Sequence, residues 1–105
     1  MLKKEEMLEL GKFFVNGLAY DGKDPVKNYI LKDKSSIVQK TKAKASLMKC
    51  LSVAKKMKTK RASRDDMMRL VTYAYLLLET DEYTMDLDKA RKDLGIEQLE
   101  KKYAA

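Results

Sequence analysis

Residues 36–59 run for 24 positions without a proline or a glycine. Within them Ala43, Leu47, Cys50, Ala54 and Met57 recur in steps of three and four, and Leu51 broadens the stripe. That spacing places the apolar side chains on one face of an α-helix. At about 1.5 Å per residue the helix would be about 36 Å long. Ser35 or Ser36 is placed to cap its start. Met48 and Ala45 lie toward another edge. A break, if one occurs, is expected near Thr41 or Ser46.

The strongest apolar stripe follows. Met67, Leu70, Val71, Ala74, Leu77 and Leu78 predict a helix over residues 64–79, with Ser63 as its cap. Asp66 stands three positions after Ser63, at the spacing of a capping box, and Asp65 adds negative charge to the first turn. Tyr73, Tyr75 and Leu76 make more than one side of this helix apolar. It is therefore expected at the centre of the core, surrounded by other helices or partly covered by another chain.

Three weaker patterns complete the chain. Met7, Leu10, Phe14 and Leu18 predict a first helix over residues 3–19, closed by the turn signal Asp21-Gly22. Asp24-Pro25 suits the opening of a short helix carrying Val26, Tyr29 and Ile30. A last helix is expected from Thr84 or Asp86 through Leu87, Ala90, Arg91 and Leu94, interrupted at Gly95. Ile96, Leu99 and Tyr103 then continue it as a short piece with a fraying end. The chain of 105 residues is 45% apolar and carries no persuasive two-residue alternation. The expected fold is all-α: one domain over residues 1–105, a small compact bundle of about four principal helices with room for a short extra one.

The charge is unevenly placed along these helices. The whole chain has net charge +7. Residues 32–64 hold ten lysines, Arg61 and Arg64 against Asp33 alone, a local net charge of +11. The remainder is therefore at −4. Lys42, Lys49 and Lys56 are seven apart and nearly align along the long helix, drifting about 20° per step. Lys60 follows them, and Lys40, Lys44, Lys55 and Lys58 flank the apolar stripe on its other side. A row of ammonium groups matches a phosphate backbone but has little geometric selectivity. Arg61 and Arg64 offer more directional contacts.

Several chemistries are excluded or poorly supported. The chain has no histidine and one cysteine, which removes His-dependent triads, zinc sites rich in His or Cys, and any intramolecular disulfide. Gly22-Lys23 lacks the glycine-rich loop and the hydroxyl of a P-loop. Glu79, Asp81, Glu82, Asp86 and Asp88 are concentrated but do not follow the order of an EF-hand, so capping or pairing with the basic segment is the expected role. Cys50 is expected to be a buried thiol on the apolar stripe. The tyrosines are expected to pack with their hydroxyls at the surface.

The function that fits is a non-catalytic, cofactor-free protein contacting the RNA or DNA backbone inside a nucleoprotein complex. Its expected nucleic-acid-binding residues are Lys40, Lys42, Lys44, Lys49, Lys56, Lys58, Lys60, Arg61 and Arg64. The alternative is a protein–protein adaptor or inhibitor that uses the same basic face, or self-association. Two carboxylates at the start of residues 64–79 argue against that helix as a major-groove reader. Membrane binding is not expected, because the basic helix has no Trp or Phe on its apolar face. The single cysteine and the absence of a signal-like segment fit a cytoplasmic location.

Overall fold

The computed structural model describes residues 37–78 and 85–103, together with Glu5, Glu6, Glu9, Gly11 and Tyr29. The fold is an all-α bundle. Its described helices are α1 (Ile37–Thr59), α2 (Arg64–Leu78), α3 (Leu87–Asp93) and α4 (Ile96–Lys102). Among the described residues there is no strand.

The long helix forms without a break at Thr41 or Ser46. Its expected stripe is its core face: Ala43, Cys50, Ala54 and Met57 are buried, joined by Val53, while Leu47 and Leu51 pack at the margin. It ends in a Schellman motif. The Ala62 N–H donates to the Met57 carbonyl at 2.9 Å, and the Arg61 N–H donates to the Lys58 carbonyl at 3.4 Å. Arg61 takes the left-handed conformation this motif requires, with φ 53°. Ala62 packs against the core that holds Met57, which is the apolar contact that accompanies such a cap.

Ser63 starts the next helix as expected: its Oγ accepts from the Asp66 N–H at 3.2 Å. The carboxylate of Asp66 departs from the capping-box expectation. It turns inward, to Tyr103, Lys102 and Arg69. α2 is the central element, with Leu70, Val71, Tyr73, Ala74, Leu76 and Leu77 buried. The wide apolar surface around Tyr73–Leu76 is thus covered within this chain. Gly11, helical and buried, meets α2 at Tyr75 and Val71. Glu5, Glu6 and Glu9 are helical and exposed, and the rest of the helix expected over residues 3–19 lies outside the described residues. So do the short helix at Asp24-Pro25 and the caps Ser35 and Ser36, except for Tyr29.

The C-terminal pair follows from local signals. Asp86 caps α3, its Oδ1 accepting from the Lys89 N–H at 3.2 Å. The Asp86 N–H donates to the Tyr29 carbonyl at 2.6 Å, tying the start of α3 to an earlier segment. Gly95 turns the chain between α3 and α4 with φ 63°, a conformation that costs a side-chain-bearing residue about 1–2 kcal/mol. Ile96 and Leu99 seat α4 on the core. The expected fraying at the end does not occur at Tyr103, which is buried beneath Asp66.

Candidate nucleic-acid interface

α1 contains seven lysines and no acidic residue. At about 100° per residue its core face occupies one side of the cylinder. Lys42, Lys49 and Lys56 run down one flank, and Lys40, Lys44, Lys55 and Lys58 down the other. The two rows lie roughly 150° apart around the exposed side. Between them Thr41, Ala45, Met48, Ser52 and Thr59 form a neutral outward ridge, all of it exposed. Met48 is the exposed large hydrophobic of the described residues, at 73%.

The basic residues singled out from the sequence take different positions. Lys40, Lys42, Lys44, Lys58, Lys60, Arg61 and Arg64 are exposed, and Lys56 is half-buried. Lys60 and Arg61 form the turn after α1, where positive charge suits the carboxyl end of the helix dipole, and Arg64 opens α2. Eight of the nine lie on α1 and this turn, and Arg64 follows at the start of α2. Lys49 is held by an ion pair from another helix. Its Nζ stands 2.6 Å from Glu100 Oε2, although its side chain is 63% exposed. Glu100 Oε1 is in turn 2.5 Å from Arg91 Nη2. The buried carboxylate of Glu100 thus bridges one cation of α1 and one of α3.

Sequence reasoning gave no sign of Glu100 or Arg91 at this surface. Their partner lies on a helix half the chain away, and no spacing rule reaches that far. It also misjudged Asp66. The carboxylate expected to repel phosphate at the start of α2 is only 4% exposed. The Tyr103 hydroxyl hydrogen bond, followed by that of Lys102, holds its pKa down to about 2. Asp65 remains exposed and pairs with Arg69 at 3.1 Å. The better reason that α2 cannot read a groove is its burial on nearly all sides.

Other expected sites resolve differently. Cys50 is buried, and burial, with the Glu100 carboxylate adding, pushes its thiol up to about 12. The Tyr73 and Tyr103 rings are buried with their hydroxyls, which corrects the expectation of surface hydroxyls for these two. Of the acidic cluster, Asp86 is a helix cap and Asp88 is exposed on α3; Glu79, Asp81 and Glu82 lie outside the described residues. Among the described residues no group of carboxylates or thiols is arranged to hold a metal, and no helix is long and apolar enough to cross a membrane. No family model matches this chain, and no curated protein or solved structure matches it significantly.

Proposed function

We propose that this protein binds the backbone of RNA or DNA through α1 and the turn that follows it, without catalysis, as a subunit of a nucleoprotein complex. The observation that carries the reading is the unmixed positive charge of α1. Its seven lysines have no acidic neighbour on the helix, and most of them stand at the surface. Such a surface lowers its own repulsion by taking up polyanion, releasing counterions from the nucleic acid as it does so. Lys40, Lys42, Lys44 and Lys58 supply contacts along the helix, and Lys60, Arg61 and Arg64 supply them at its exit. Affinity should be weakly selective for sequence and steeply dependent on salt.

A second reading rests on Met48. A flexible apolar side chain exposed between two lysine rows suits an acidic protein surface, which would make the chain an adaptor.

Fluorescence anisotropy with mixed-sequence single-stranded RNA, single-stranded DNA and duplex DNA at rising salt separates the two. The nucleic-acid reading expects log affinity to fall linearly with log salt, by about 0.7–0.9 per phosphate neutralised. Charge reversal at Lys44, Lys55 and Lys58 should weaken binding while leaving the circular dichroism spectrum unchanged. Lys49 is unsuited to this test because its reversal would also break the Glu100 pair. No binding at low salt would overturn the reading.

A further inference from the structure

A cleft of about 370 Å3 opens between α1 and α3, with Lys42, Ser46, Lys49, Asp88 and Arg91 on its walls. Its size falls within the range of about 300–1,000 Å3 typical of ligand clefts. Three of these five side chains are cations. Two of them are held in place: the buried Glu100 pairs with both Lys49 and Arg91. A lysine has three N–H donors and an arginine five, so each keeps donors beyond the one Glu100 takes. Beside Ser46 and Arg91, near enough to interact with both, lies the buried Tyr73 hydroxyl. The Arg91 guanidinium carbon is 6.0 Å from the Tyr73 ring centroid.

We infer that this cleft is a phosphate-binding site, and that it holds one phosphate of the nucleic-acid backbone bound along α1. The inference rests on the function proposed above and deepens it. Counting Asp88 and Glu100 against the three cations leaves one positive charge, which suits the single charge of a phosphodiester. Lys49 and Arg91 are oriented before the ligand arrives, so little side-chain entropy is lost on binding. Ser46 adds a neutral donor or acceptor. Lys42 and Lys49 belong to one lysine row of α1, so a strand following that row passes the cleft mouth. The remaining lysines act as mobile point charges, whereas the cleft fixes the register of the backbone on the protein.

The test compares two double variants of the full chain. Lys42→Gln with Ser46→Ala removes one charge and one hydroxyl from the cleft, and neither residue takes part in an ion pair among the described residues. Lys44→Gln with Lys58→Gln removes two charges from the opposite flank. Binding of a mixed-sequence single-stranded oligonucleotide is measured at fixed salt, and amide NMR shifts are followed with the oligonucleotide and with inorganic phosphate. A cleft site predicts that the first pair weakens oligonucleotide binding about tenfold and more than the second, despite losing less charge. It also predicts that both ligands shift the amides around Ser46, Lys49 and Arg91. If the second pair weakens binding as much or more, the cleft site is overturned and diffuse backbone binding stands. If the oligonucleotide does not bind but inorganic phosphate shifts those amides, the backbone source is overturned together with the proposed function. If neither ligand binds, both inferences fall.

Discussion

The phenolic oxygen of Tyr103 donates a 2.6 Å hydrogen bond to Asp66 Oδ2 across 37 residues of sequence. Asp66 Oδ2 also accepts from Lys102 Nζ at 2.9 Å, and Asp66 Oδ1 lies 2.8 Å from Arg69 Nη2. One carboxylate at the start of α2 therefore ties down the end of α4. An isolated helix of seven residues is not stable in water, so α4 depends on this tie together with the burial of Ile96 and Leu99.

Acid should release this tie. The hydrogen bond from Tyr103, then that from Lys102, lowers the Asp66 pKa from an ordinary 3.8 to about 2. The unfolded chain then binds the proton more readily than the folded one, so stability rises with pH across this window. The contribution is complete above about pH 4 and is lost as pH falls through about 2. Tyr103→Phe removes the largest cause. It should raise the Asp66 pKa, move acid unfolding to higher pH and lower the thermal midpoint at neutral pH by several degrees. Circular dichroism melts across the acid range, with the Asp66 carboxyl followed by NMR, check this. An unchanged Asp66 titration in the variant would contradict the assignment.

Gly11 should resist substitution for a reason of space. A methyl group there would collide with Tyr75 Cβ and stand 3.2 Å from the Val71 carbonyl oxygen. Both atoms sit at or next to the α2 backbone and cannot swing away as a long side chain would. In an open helix Gly→Ala is favourable by about 0.5–1 kcal/mol. Overpacking costs about 1–3 kcal/mol and acts in the other direction. Gly11→Ala should therefore destabilise the fold, seen as a lower urea midpoint with unchanged slope. A stabilised variant would show that the first helix does not pack against α2 this closely.

Cys50 should be inert in the folded protein. Its thiol is buried and held up to about 12, so the reactive thiolate is scarce at neutral pH. Modification by a thiol reagent should be slow in buffer and rapid in urea, with a rate that follows the unfolded fraction. Fast labelling of the native protein would mean that α1 separates from the core far more often than its packing implies.

What could be foreseen from sequence divides by distance along the chain. The Ala43–Met57 stripe, the Ser63 cap, the Asp86 cap and the stop at Gly95 all arise from interactions within a few residues, and periodicity and capping rules capture them. The two buried carboxylates depend on partners from other helices. Asp66 needs Tyr103, and Glu100 needs Lys49; a sequence pattern shows each only as one more charge on a helix surface. Even locally, Asp66 misled, because the spacing that fits a capping box also fits a residue whose backbone alone is capped. Among the basic residues the sequence located the charge correctly. It could not tell that Lys49 is oriented by Glu100 while Lys42 is not.

Arg61 separates charge from strain in the basic segment. Its φ of 53° closes α1, a conformation that costs a residue with a side chain about 1–2 kcal/mol. Glycine adopts it without that cost but loses about 0.5–1 kcal/mol more conformational freedom on folding. The difference favours Arg61→Gly by about 0.5–1 kcal/mol, since the Ala62 and Arg61 backbone hydrogen bonds are kept. The same change removes a cation from the proposed interface. The variant should therefore unfold at higher urea and yet bind nucleic acid more weakly, with a shallower dependence on salt. Urea unfolding and anisotropy on one preparation test both halves. Higher stability with unchanged affinity would remove Arg61 from the interface and leave it as the cap of α1; lower stability would show that its side chain contributes more to the fold than its backbone conformation costs.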